Sequence, residues 1–156
     1  MYDIRHRIGV AGSPAAVYQQ VATADGLKAW WTDDVRGDSE AGEKVSFHFN
    51  GDGRSKVDED RAMVMEVVEL RDGERVAWRC VEGPAEWVGT DITFDIKRGS
   101  DTETVLLFEH AGWREPVEFM SHCSTKWGSY LQSLLASVET GTGQPFPDDV
   151  RICSWD

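Results

Sequence analysis

Apolar residues alternate with polar ones over much of the first two thirds of the chain, which predicts β-strands. The clearest run is Val45, Phe47 and Phe49, which are separated by Ser46 and His48. The pattern predicts about six strands, over residues 2–10, 45–49, 61–70, 74–81, 88–97 and 102–110. Consecutive strands are joined by short turns such as Asp72-Gly73, so we expect an antiparallel sheet.

Helical signals stand after the first strand and near the end of the chain. Ser13-Pro14 and Thr23 each predict the start of a short helix, because serine and threonine cap helices and proline fits the first turn. Between Pro116 and Gly141, apolar residues recur at spacings of three and four, which is typical of one long amphipathic helix. The residues of this stripe are Val117, Met120, Cys123, Trp127, Leu131, Leu134 and Val138.

Together these elements predict one α+β domain over residues 1–156, with an irregular tail over residues 142–156. The acidic segment 32–44 and the polar segment 50–60 are predicted as loops. The second segment is similar to a calcium-binding loop. It fails that pattern because Ser55 takes the place of the required glycine and Arg61 that of the final glutamate.

Charge and cysteine content narrow the partners and the location that we expect. The formal net charge of −12 argues against nucleic acid or an anionic membrane surface as the main partner. No segment approaches the ~20 apolar residues of a membrane span. The three cysteines form no close pair, and the first residues lack the apolar run of a signal peptide. A reducing, cytoplasmic location is therefore expected.

The predicted layout favours a cavity, because a twisted sheet can contact a single helix closely along only part of its length. Many aromatic residues converge on that space, and Trp30-Trp31 and Trp113 are expected near its mouth. The residues predicted to line the cavity are Trp31, Phe47, Trp78, Phe94, His110, Trp113, Met120, Cys123 and Trp127. The alternative, that these aromatic side chains simply fill the core, stays open.

Two histidines are candidates for chemistry. His110 shares a strand face with Leu106 and Phe108, where it can orient a ligand carbonyl or act as an acid or base. A structural, hydrogen-bonded histidine is the favoured interpretation. His122 and Cys123 are adjacent in the long helix, point about 100° apart, and have no close second Cys/His pair. We therefore predict no metal site, and no cofactor motif is present.

Three stretches carry a family resemblance. They are Val17-Tyr18 to Trp30-Trp31, Trp87-Val88-Gly89-Thr90 with Leu106 to Trp113, and Trp127 to Leu131 with Glu139 to Pro145. The chain resembles the START-like, or SRPBCC, helix-grip superfamily, in the branch similar to activators of the heat-shock-protein ATPase. The resemblance implies a curved sheet that grips the C-terminal helix around a deep cavity. It also implies binding of lipids, polyketides, hormones or other apolar molecules, and some members act as cyclases or hydrolases.

Three functions follow as hypotheses. The first is binding of a small apolar ligand between sheet and helix, and binding without catalysis is preferred. The second is an enzyme of the same fold: a cyclase, dehydratase or hydrolase acting on an apolar carbonyl compound. The third is a co-chaperone-like regulator that binds a protein. A chaperone partner ranks lowest because eukaryotic activators resemble this chain in only one domain and carry another region for chaperone contact. A homodimer stays open.

Overall fold

The computed structural model describes residues 1–50 and 62–156. The strands in these ranges are β1 (Tyr2–Val10), β2 (Asp34–Gly37), β3 (Lys44–His48), β4 (Ala62–Arg71), β5 (Arg75–Glu82), β6 (Asp91–Arg98) and β7 (Thr104–Trp113). The helices are α1 (Pro14–Ala22), α2 (Ala24–Lys28) and α3 (Glu118–Thr140). The loop predicted over residues 50–60, with its rejected calcium pattern, falls almost entirely outside the described residues.

The strands form one antiparallel sheet in the order β1-β7-β6-β5-β4-β3-β2. The predicted α+β class, with a long C-terminal helix, is confirmed, but the sheet has seven strands instead of about six. The additional strand is β2, which lies at the sheet edge within the segment predicted as turns and pairs with β3. It has only four residues and only Val35 is buried, so the alternation is too short to predict a strand.

Helix ends follow the capping rules. The Ser13 hydroxyl accepts a hydrogen bond from the Ala16 amide at 3.1 Å, and the Thr23 hydroxyl accepts one from the Gly26 amide at 3.0 Å. Helix α3 ends at Gly141, whose φ of 82° is the left-handed conformation that glycine adopts without strain. All three helices are therefore placed where the sequence predicted them.

Helix α3 packs its apolar stripe across the sheet. Trp127, Leu131 and Leu134 are buried on this face, and Met120 and Val138 are partly buried against the same core. The pattern of three- and four-residue spacings is thus confirmed as the contact face of the helix. Within the described ranges, no helix combines the length and the apolar character that crossing a membrane requires.

Aromatic rings dominate the space between the sheet and the helices. Ring centroids lie 4.3 Å apart for Trp31 and Phe47, 5.0 Å for Trp78 and Phe94, and 5.4 Å for Phe94 and Phe108. Trp30 and Trp113, which were expected near a mouth, are 0% and 1% exposed, so that expectation was wrong. Trp30 also donates a hydrogen bond from Nε1 to the Gln20 carbonyl at 2.8 Å. Much of the predicted cavity is therefore filled by aromatic packing.

Candidate functional site

A pocket of about 720 Å³ opens where the first half of α3 passes the adjoining ends of β4 and β5. Trp31, Trp87 and Trp127 contribute buried rings to its wall, whereas Phe119 is half-buried and Trp155 is exposed. Ala62 and Gly83 supply the strand side of the wall. The pocket thus combines parts of the chain that are far apart in sequence.

The inner wall is built from stacked tryptophans. Trp87 and Trp127 have nearly parallel rings, with centroids 5.7 Å apart and planes at 21°, and Trp31 lies 5.0 Å from Trp127. The Trp87 indole donates a hydrogen bond from Nε1 to the Cys123 sulfur at 3.4 Å. Burial raises the pKa of Cys123 to about 12. Cys123 therefore lines the pocket as a neutral thiol and does not supply a nucleophilic thiolate.

One side of the pocket carries a partly buried charge pair. The Lys126 ammonium lies 2.6 Å from Asp149 Oδ2, and their side chains are only 14% and 2% exposed. The Tyr130 hydroxyl donates to the same carboxylate oxygen at 2.8 Å, and Lys126 also donates to the Val150 carbonyl at 3.0 Å. Charge-assisted hydrogen bonds of this kind fix the positions of both partners. The pair therefore gives an otherwise aromatic pocket one defined polar edge.

The tail, residues 142–156, closes the far side of the pocket. Its backbone pairs with the end of the α2 region, because the Phe146 amide donates to the Trp31 carbonyl at 2.9 Å and the Asp33 amide donates to the Phe146 carbonyl at 3.1 Å. At Gly143 the tail backbone packs directly against the Ala29 carbonyl oxygen. A Cβ at this position would lie only 2.3 Å from that oxygen, so a larger residue does not fit. The tail is irregular in shape but is tied to the body of the domain.

His110 lies behind the pocket in a chain of hydrogen bonds. Trp127 donates from Nε1 to His110 Nδ1 at 3.2 Å, so the ring proton is on Nε2, which faces the Thr90 hydroxyl oxygen at 2.8 Å. Thr90 in turn donates its hydroxyl to the Trp87 carbonyl. Burial lowers the pKa of His110 to about 3, so the ring is neutral at physiological pH. Both ring nitrogens are occupied by protein groups, which fits a structural role.

The nine residues predicted for the site are not all brought together. Trp31, Cys123 and Trp127 line the pocket. The other six residues lie away from its wall: Phe47, Trp78, Phe94, His110 and Trp113 are buried in the core, and Met120 is half-buried on α3. Alternation along a strand identifies which side chains face the helix, but it does not separate those that pack from those that border a cavity.

The polar edge of the pocket and the part that the tail plays in it were not predicted from the sequence. Lys126 and Tyr130 stand one helical turn apart, and Tyr130 follows Cys123 by two turns, so helical spacing carried a signal for this face. Asp149, Phe146 and Trp155 lie in a stretch with no periodic pattern. Their approach to the pocket depends on where the tail turns back, which local sequence does not indicate.

Comparison with known proteins agrees with this architecture. The family model described as "Activator of Hsp90 ATPase homolog 1-like protein" matches residues 11–139. No curated protein sequence matches the chain. Among solved structures, the Aha1 dimer from Colwellia psychrerythraea is 36% identical, with a TM-score of 0.79, and the alignment covers 92% of this chain and all of that one.

More distant structures share the fold alone. The protein SSP2350 from Staphylococcus saprophyticus is 15% identical with a TM-score of 0.71, over 91% of this chain and 95% of that one. CalU16 from Micromonospora echinospora is 13% identical with a TM-score of 0.70, over 88% and 74% of the two chains. The family model covers most of the chain, and the 36% identical structure spans nearly all of it. The chain therefore belongs to the family of activator of Hsp90 ATPase homolog 1-like proteins, within the START-like helix-grip superfamily predicted from its sequence.

Proposed function

We propose that this protein binds a small, largely apolar molecule with aromatic character in the pocket between α3, the ends of β4 and β5, and the tail. The observation that carries the proposal is the shape and lining of the pocket. Its volume of about 720 Å³ lies within the roughly 300–1,000 Å³ typical of small-molecule sites. Trp31, Trp87 and Trp127 present ring surface to the space, which suits a flat apolar ligand.

Burial of the ligand supplies most of the binding free energy in this proposal. Each Å² of apolar surface removed from water contributes roughly 25 cal/mol, and a ring stacked on a tryptophan gains about 0.5–1.5 kcal/mol more. The tryptophans are held before binding, since Trp127 is hydrogen-bonded to His110 and stacked on Trp87. A preorganised wall limits the entropy lost when the ligand binds.

The charge pair of Lys126 and Asp149 indicates which polar group the ligand carries in addition to its apolar surface. Lys126 and Tyr130 lie at the edge of the pocket, and both donate a hydrogen bond to Asp149, which orients them. The Lys126 ammonium has three hydrogens and gives two of them to Asp149 and the Val150 carbonyl, so it can donate the third to a carbonyl or hydroxyl oxygen on the ligand and orient it. An apolar compound with one oxygen at its end is therefore the preferred ligand class, and a hydrocarbon without oxygen should bind less tightly.

Binding without turnover is better supported than the enzyme of the same fold. A cyclase or hydrolase needs polar groups that converge on the reacting atom. His110, the residue that the sequence offered for that role, uses both ring nitrogens within the protein and lies behind the wall. Its pKa of about 3 also makes it a poor base or acid at neutral pH.

A fluorescence titration with 1-anilinonaphthalene-8-sulfonate, an aromatic probe, tests this proposal. Ala62 lines the pocket, so Ala62→Trp should fill part of it and weaken probe binding at least tenfold. Val68→Trp is the matched control, because Val68 lies on the same strand, is 52% exposed and does not line the pocket. Equal probe affinity in both variants, with circular dichroism showing both folded, would contradict the pocket assignment.

A second candidate is regulation of a chaperone ATPase, and the family match favours it. The family model is named for activation of the Hsp90 ATPase, and the 36% identical structure is an Aha1 dimer. An acidic chain of net charge −12 would then seek a basic surface on its partner. The test is the ATPase rate of Hsp90 with equimolar protein at 50 mM and 300 mM salt. Stimulation that weakens at high salt supports this candidate, and an unchanged rate at both salt concentrations rejects it.

A further inference from the structure

Three side chains with metal-binding atoms meet where the tail returns to α3. His122 belongs to the helix, and Cys153 and Asp156 belong to the tail. Their nitrogen, sulfur and oxygen atoms lie within 4.8 Å of one another. His122 Nδ1 is 3.3 Å from Cys153 Sγ, and His122 Nε2 is 3.9 Å from Asp156 Oδ1. The fold thus provides the second ligand group that sequence spacing around His122 did not show.

Asp156 gives an independent indication of a cation site. Its side chain is 0% exposed, and among the described residues its Oδ1 atom has no hydrogen-bond partner. Its other oxygen accepts the Ile152 amide. The Lys126 ammonium lies 3.7 Å from Oδ1, but it makes shorter contacts with Asp149, at 2.6 Å, and with the Val150 carbonyl, at 3.0 Å. A buried carboxylate oxygen without a bonded partner is costly, and a bound metal ion would satisfy it.

The chemical types of the three ligand atoms indicate which metal ion the site would bind. One imidazole nitrogen, one thiolate sulfur and one carboxylate oxygen form a set that suits Zn²⁺, whereas Ca²⁺ and Mg²⁺ prefer oxygen alone. Zinc bonds of about 2.0–2.3 Å place neighbouring tetrahedral ligands roughly 3.3–3.8 Å apart. The distance of 3.3 Å from Nδ1 to Sγ already lies in that range. A metal ion bonds to one imidazole nitrogen only, and Nδ1 is the one that lies beside the Cys153 sulfur.

Cys153 differs from the other two cysteines. It is exposed, whereas Cys80 and Cys123 are buried. Burial in apolar surroundings opposes formation of the thiolate that a metal requires. Among the three, Cys153 is thus the one whose position suits metal binding, and Cys80 offers a matched control.

We propose that His122, Cys153 and Asp156 form a Zn²⁺ site that fastens the tail to helix α3. Three protein ligands leave one coordination position for water or another group, as zinc sites with an open position do. His122 and Asp156 also line the pocket, so the metal would stand at its outer wall. The site does not depend on the ligand proposed above, because Cys153 lies outside the pocket wall.

Titration of the untagged, chelator-treated, reduced protein with Co²⁺ tests the proposal. We expect one equivalent to bind, with a thiolate-to-metal charge-transfer band that Zn²⁺ abolishes. Cys153→Ser should lose the band and weaken metal affinity by more than about 100-fold, since loss of an outer-shell partner alone costs roughly 10–100-fold. Cys80→Ser should keep both. Failure of the wild type to bind one equivalent, or equal affinity in the Cys153→Ser variant, would overturn the site.

Three further measurements separate this site from the pocket proposal and from a folding defect. Zn²⁺ should slow tryptic cleavage after Arg151 in the wild type and leave the Cys153→Ser rate unchanged, because the metal fastens the tail. His122→Ala should lose metal binding in the same way while circular dichroism shows a folded domain. The affinity of Cys153→Ser for 1-anilinonaphthalene-8-sulfonate should equal that of the wild type. Loss of metal binding with unchanged probe binding supports the zinc site alone, and retained metal binding in His122→Ala contradicts it.

Discussion

Trp127 on helix α3 donates a hydrogen bond to His110 on strand β7, with 3.2 Å between Nε1 and Nδ1. The bond joins the helix to the sheet in the middle of the aromatic core, where both residues are buried. It also determines which ring nitrogen of His110 carries the proton. The same tryptophan forms part of the pocket wall, so the core network and the candidate site share a side chain.

Removing the Thr90 hydroxyl should destabilise the domain. Thr90→Val keeps the side-chain shape but leaves the His110 Nε2 proton without its acceptor 2.8 Å away. A buried donor left unsatisfied costs about 1–3 kcal/mol. The free energy of unfolding, measured by urea titration with tryptophan fluorescence, should fall by that amount. Thr93→Val, in strand β6 just after Thr90, is the control and should stay within about 0.5 kcal/mol of the wild type. Equal effects of the two changes would show that the network adds no stability.

Stability should fall in acid because of His110. Its pKa is about 3 in the folded chain against 6.5 for the unperturbed group, so between these values the unfolded chain binds a proton that the folded chain does not. The free energy of unfolding should therefore decrease as the pH drops below 6.5, by up to about 1.4 kcal/mol per pH unit from this group.

The variant His110→Gln isolates this contribution, since it lacks the titrating ring but retains hydrogen-bonding atoms. Its free energy of unfolding should change less steeply between pH 6.5 and pH 4 than that of the wild type. All other groups, including His122, are present in both proteins and cancel in the difference. Parallel curves for the two proteins would contradict a neutral, buried His110.

The Asp149 carboxylate should hold the tail in place. Asp149→Asn removes the charge that pairs with Lys126 at 2.6 Å, in a setting where the two side chains are only 14% and 2% exposed. Loss of one partner of a buried pair costs several kcal/mol. Tryptic cleavage after Arg151, followed by mass spectrometry, should speed up at least tenfold. Asp148→Asn, at an exposed neighbouring position, should cleave at the wild-type rate. A wild-type rate for Asp149→Asn would mean that other contacts secure the tail.

The parts of the fold that repeat a local pattern were predictable. Alternating residues marked most strands, and the stripe from Val117 to Val138 marked α3, because burial on one face imposes a period on the sequence. The edge strand β2 was not predictable because its four residues contain one buried side chain, Val35. Its position depends on pairing with β3, which is a tertiary property.

The site was only partly predictable for a related reason. Trp31, Cys123 and Trp127 were identified because they face the space between sheet and helix. Trp78 and Phe94 face the same space and pack on each other, with ring centroids 5.0 Å apart. Whether such a ring fills the core or borders a pocket depends on three-dimensional packing that the sequence period does not encode.

The seven tryptophan indoles allow one direct test of the proposed pocket. Trp31, Trp87, Trp127 and Trp155 line it, whereas Trp30, Trp78 and Trp113 do not. Nitrogen-15 spectra of the indole groups, assigned with Trp→Phe variants, should be recorded during titration with 1-anilinonaphthalene-8-sulfonate. Binding in the pocket predicts saturable shifts for the first four indoles and unchanged signals for the other three. Shifts confined to the exposed Trp155, or none at all, would contradict a ligand site between α3 and the sheet.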